Sequence, residues 1–99
     1  MIKYNLYLGL NDKDSKRQKI SELTAINIIS KYIPNCSITP FKGIYTYENG
    51  QQVKENSLLI TVIDFDNNFK PIPITRQLKQ LFNQESIIVE TEESNSIAM

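Results

Sequence analysis

The order of secondary-structure signals along this chain predicts an α+β domain, a split β-α-β (ferredoxin-like) sandwich. It runs strand, helix, hairpin, helix, strand, with a four-stranded antiparallel sheet and two helices on one face. Three observations carry that expectation. Residues 2–10 alternate apolar and polar side chains, the period of a half-buried strand. Residues 37–64 are rich in Ile, Val, Tyr, Phe and Thr and are divided by Glu48-Asn49-Gly50-Gln51, which reads as two strands and a turn. Before the last strand, Ile74, Leu78, Leu81 and Phe82 recur at helical spacing.

In the first strand Ile2, Tyr4, Leu6, Leu8 and Leu10 share one side, and Lys3, Asn5, Tyr7 and Gly9 the other. A polar connection from Asn11 to Lys19 follows. The first helix begins between Ser15 and Ser21, with Ser21 the better N-cap, and ends near Ile33 ahead of Pro34. Its inner face carries Ala25, Ile26, Ile29 and Ile33. A type I′ turn at Asn49-Gly50 sets a register pairing Tyr47 with Gln52, Tyr45 with Lys54 and Phe41 with Leu58. Residues 58–63 are nearly all apolar, as in a central strand covered on both faces. Pro73 suits the first turn of the second helix. Asn83-Gln84 ends that helix, and Ile87 to Thr91 forms the last strand. A single domain spans 1–92, with 93–99 a frayed tail.

Right-handed crossovers place the first and third strands in the centre. Both central strands have apolar or aromatic residues on either side, so the face away from the helices calls for a cover. A homo-oligomer through that open face is the expected partner arrangement.

Composition excludes much chemistry. The 99 residues hold 11 basic and 11 acidic side chains, no histidine, one cysteine and three glycines. Without histidine there is no Ser-His or Cys-His couple and no histidine metal site. Cys36 alone holds neither zinc nor an iron–sulfur cluster, so no catalytic residue, metal or cofactor is assigned. Asp64 to Asn68 starts like a calcium loop, but Phe69 and Thr75 stand where glycine and glutamate are required. Lys13, Lys16, Arg17 and Lys19 form a basic cluster that reads as a solvated face. With zero net charge and no basic-Gly-aromatic consensus in the third strand, nucleic acid is not the expected partner. A lone cysteine and no apolar span indicate a cytoplasmic protein without a membrane segment.

Tyr45 and Tyr47, with Tyr4 and Tyr7, are the candidates for a ligand wall, since tyrosine offers an apolar body and a polar tip. Glu48 and Glu55 lie on opposite hairpin arms and do not read as an acid–base couple.

Two stretches, Lys42 to Leu59 and Leu81 to Val89, together with Tyr7-Leu8-Gly9-Leu10, resemble a bacterial family of small α+β domains of unknown function. Its pattern is a YFGL-like first strand, a hairpin with glycine, glutamate and serine (here Gly50, Glu55 and Ser57), and a closing F-G-Q-E-S segment. Here Phe82, Gln84, Glu85 and Ser86 match that segment, and Asn83 replaces its glycine. The resemblance implies the same fold and highlights Gln84 and Glu85, without implying an activity. The binding candidates are thus Tyr7, Tyr45, Tyr47, Gln84 and Glu85. The sequence favours a non-enzymatic, oligomeric binding or regulatory domain of bacterial or mobile-element origin. The alternative is a small cofactor-free enzyme of the dimeric α+β barrel type.

Overall fold

The computed structural model describes residues 1–46, 48–93, 95, 97 and 99. Its elements are β1 (Ile2–Gly9), α1 (Glu22–Tyr32), β2 (Ser37–Thr46), β3 (Gln52–Asp64), α2 (Pro71–Leu81) and β4 (Ile88–Glu93). One sheet of order β2-β3-β1-β4 is antiparallel at every pairing, with β1 and β3 in the centre as expected.

Register explains the core. Leu6 lies opposite Ile60 and Leu8 opposite Leu58, so these four side chains leave the sheet on one side. All four are fully buried, and Ala25 and Ile29 of α1 and Leu78 of α2 are buried in the same cluster. Each buried Leu or Ile stabilises the fold by roughly 1.5–3 kcal/mol. Ser21 settles where α1 begins, because its side chain accepts a hydrogen bond from the Thr24 amide. Two prolines open α2, where Lys70 supplies no side-chain cap. Leu81 was expected on the buried face of α2 but is 45% exposed. The buried line is Ile74–Leu78–Phe82, at strict intervals of four, and Leu81 lies about 100° around the helix from Phe82.

The hairpin register differs from the expectation by one residue. Tyr45 pairs with Val53 and Phe41 with Ser57, not with Lys54 and Leu58. A type I′ turn needs positive φ at both central residues, but Asn49 is not among the positive-φ residues and only Gly50 is, at 84°. The Asn49 side chain instead accepts from the Gln51 amide, an Asx turn within a longer connection. A one-residue slip exchanges the two faces of a strand. In the observed register Phe41, Gly43 and Tyr45 lie on the open face beside Val53, Glu55 and Ser57.

β4 also runs further than expected, to Glu93, because its acids find partners on β1. Asn5 donates to Glu90 (2.9 Å) and Glu92 (3.2 Å), and Thr61 donates to Asn5 (3.1 Å). Lys3 lies 3.5 Å from Glu92. This half of the open face is a polar network that water can cover, so the whole face does not need burying, contrary to the expectation. No helix among the described residues is long and apolar enough to cross a membrane.

Candidate active site

Beyond the polar network, the open face ends in a cleft of about 370 Å³. Three structural sources build it. The strands contribute Tyr7, Phe41, Tyr45, Val53, Glu55 and Ile88. The β1–α1 loop brings Asn11, Asp12, Lys13 and Lys16, and the α2–β4 turn brings Gln84, Glu85 and Ser86.

The aromatic wall follows from the observed register. Tyr7 and Phe41 meet edge to face, with ring centroids 6.2 Å apart. The Tyr7 hydroxyl donates to Glu90 at 3.1 Å, and this hydrogen bond, with lesser desolvation, raises its pKa above the ordinary tyrosine value. Glu55 reaches across from β3 to lie over Gly9 of β1. A Cβ at position 9 would fall 2.6 Å from its carboxylate oxygens, so glycine is what admits the carboxylate. The Asn11 amide then donates to Glu55 at 2.9 Å.

Asp12 ties the two loops together. Its carboxylate accepts from the Asp14 and Ser15 amides at 3.0 and 2.9 Å and from the Asn83 side chain at 2.8 Å. Lys19 stands 3.6 Å away. The Ser15 amide first, then Asn83, hold the Asp12 carboxyl well below the usual carboxylate range. Asn83 itself has φ 46°, the left-handed cap of α2, and the Gln84 amide closes back on the Lys79 carbonyl at 2.9 Å.

Of the residues the sequence singled out, Tyr7, Tyr45, Gln84 and Glu85 line this cleft; Tyr47 lies outside the described residues. Gln84 is buried and donates to the Asn11 and Phe82 carbonyls at 2.7 and 3.2 Å, so its amide fastens one loop to the other. Glu85 is exposed. Tyr4 is no part of a ligand wall: it lies on the helix side, buried, with its ring centroid 4.9 Å from that of Phe69. Asp12, Lys13, Lys16, Phe41 and Glu55 went unassigned. Phe41 was lost to the register, Lys13 and Lys16 were read as a solvated face, and Glu55 entered only as part of the hairpin pattern and as no acid–base partner of Glu48. Nothing in their spacing joins positions 12, 55 and 85.

A second hollow of about 580 Å³ lies at the other end of the molecule, lined mainly by apolar residues such as Ile33, Val62 and Phe69. Its buried carboxylate, Asp64, accepts from the Asn68 and Phe69 amides of its own loop. The smaller cleft is the better candidate because aromatic, acidic and basic groups converge in it.

No family model and no curated protein matches this chain. Two solved structures do. One is a phage SAM lyase in complex with S-methyl-5′-thioadenosine, 31% identical, covering 93% of this chain and 80% of that one, with a TM-score of 0.67. This chain belongs to the phage SAM lyase family. The other is a phage SAM lyase in the apo state, 26% identical over 92% of this chain and 78% of that one, with a TM-score of 0.70. Membership of an enzyme family overturns the expectation of a non-enzymatic binding or regulatory domain. The alternative reading of a small enzyme fits better. The absence of histidine had weighed against catalysis, and it excludes less than that expectation assumed.

Proposed function

We propose that this chain is a lyase acting on S-adenosylmethionine (SAM), with S-methyl-5′-thioadenosine as one product. The observation that carries the reading is the 31% identical phage SAM lyase holding that molecule, aligned over 93% of the present chain. The chemistry agrees with the residues present. Forming the thioadenosine from SAM breaks the bond from the sulfonium sulfur to the aminobutyrate arm. In exchange the arm's Cγ gains a bond from the substrate itself, its carboxylate oxygen closing on that carbon to form a lactone, while the C–S electrons pass to sulfur, which departs as a neutral thioether. A neutral leaving group takes up no proton, so a chain without histidine lacks nothing that this step needs from a general acid.

Tyr7, Phe41 and Tyr45 offer faces on which an adenine ring or a sulfonium cation could rest. Glu55 and Glu85 place negative charge in the same cleft. A volume of about 370 Å³ falls within the range of small-molecule sites. Self-association through the open sheet face belongs to this reading, because Ile88 at the cleft rim is 66% exposed and Tyr45 is 50% exposed.

Purified protein incubated with SAM should release S-methyl-5′-thioadenosine, detected by liquid chromatography with mass spectrometry. Absence of the product at micromolar enzyme, together with no calorimetric binding of either compound at millimolar concentration, would reject the reading.

A further inference from the structure

The cleft is chemically lopsided. Its rings and Glu55 come from the strands, whereas both its lysines, Lys13 and Lys16, come from the β1–α1 loop. Neither lysine makes an ion pair among the described residues. Two of the nearby acids are already engaged, Asp12 by two amides, Asn83 and Lys19, and Glu55 by the Asn11 amide, and Glu85 is the exposed acid of the same cleft. Of the cluster Lys13, Lys16, Arg17 and Lys19, only the first two line the cleft.

The loop carrying them is fixed in place. The Lys13 amide donates to the Asn83 carbonyl at 2.9 Å, and the Lys16 amide to the Asp12 carbonyl at 2.8 Å. Lys16 also sits at φ 62°, where a side chain with a Cβ is strained and glycine or asparagine is easier. An exposed lysine kept in that conformation, on a loop pinned at both ends and facing a cleft, calls for a reason beyond solubility.

We infer that Lys13 and Lys16 form the anion-binding end of the cleft and recognise the carboxylate of the substrate's amino-acid arm. The inference rests on the SAM lyase reading and deepens it. SAM carries its sulfonium near the middle, and an ammonium and a carboxylate together on the terminal carbon of its arm. The strand side of the cleft suits the sulfonium and the rings, and the loop and turn side suits the amino-acid end, the two lysines matching the carboxylate and Glu85 the ammonium. S-methyl-5′-thioadenosine lacks the whole arm, so the two lysines should distinguish substrate from product and leave product free to depart.

The test is kinetic. Thioadenosine release from SAM is measured for wild type, the double variant Lys13→Gln/Lys16→Gln and the Lys13→Arg/Lys16→Arg control. S-methyl-5′-thioadenosine and decarboxylated SAM, neither of which has the carboxylate, serve as competitive inhibitors. The Gln variant should raise KM for SAM about tenfold or more, the usual worth of charge-assisted hydrogen bonds. Its inhibition constants for the thioadenosine and for decarboxylated SAM should stay within about twofold of wild type, and the Arg control should recover most of the loss. Lys16→Gly adds a second readout. It relieves the strained φ, so it should melt no lower than wild type while its KM for SAM rises. An active wild type with an unchanged KM in the Gln variant overturns this inference alone. So does an equal rise in the inhibition constant of decarboxylated SAM. A wild type that releases no thioadenosine and binds none overturns the lyase reading, and this inference with it.

Discussion

Asp12 draws its partners from its own loop and from the turn after α2. The Ser15 and Asp14 amides and Lys19 belong to the first, and Asn83 to the second. Because these donors favour the charged form, its pKa is lower folded than unfolded. The sign follows directly. The stabilisation is complete above about pH 4, the unfolded value, and is lost as the pH falls towards the folded one. Asp12→Asn should therefore lower the melting temperature by a constant amount between about pH 5 and pH 8, with the gap closing below about pH 4. A gap as wide at pH 3 as at pH 7 would show that the charge is not what holds the loops. The sequence shows Asp12 as one polar residue in a polar connection. Its partner Asn83 is 71 residues away, and only the fold makes them neighbours.

At the scale of elements, the pairing of β1 with β3 sets the cleft floor. Gly9 of β1 lies under the Glu55 carboxylate of β3. In Gly9→Ala the new Cβ would meet that carboxylate at 2.6 Å, and the flexible end of Glu55 must move off the Asn11 amide. Losing that charge-assisted bond should cost about 1–3 kcal/mol, less any recovered through water. Thioadenosine release should fall several-fold, because the displaced carboxylate crosses into the cleft. Urea denaturation and the release assay check the two parts. Full activity with unaltered stability would mean that Glu55 is free to relocate and does not act where it lies. The strands and helices themselves were legible, since alternation in 2–10 and the i, i+4 spacing in α2 need no distant partner. The hairpin register was not. Asn49-Gly50 carries the composition of a type I′ turn, but the turn formed is set by how β2 and β3 pack against the rest of the sheet.

For the whole molecule, the open sheet face divides into a wet half and a cleft half. The wet half is closed by Lys3, Asn5, Thr61, Glu90 and Glu92. Around the cleft, on the two edge strands, Ile88 and Tyr45 remain in solvent. Apolar side chains on an edge strand beside a cleft favour association. Size-exclusion chromatography with light scattering should therefore give a mass at twice 11.4 kDa or a higher multiple, and Ile88→Glu should shift it towards the monomer. A wild type that stays monomeric at tens of micromolar would reject this expectation.

The sequence by itself determined the topology: element order, central strands and most of the core, such as Leu6, Leu8, Ile29 and Leu78, follow from local periodicity. It also bounded the chemistry, since a chain without histidine cannot use an imidazole. Only the tertiary structure decided which face Phe41, Gly43 and Tyr45 occupy, which lysines of the basic cluster face a cleft, and that Asp12, Glu55 and Glu85 share one end of the sheet. Periodicity reports which side of an element is buried, but a cleft is made where elements distant in sequence end together. That meeting depends on register and loop anchoring, and a one-residue shift in either moves every side chain of the site.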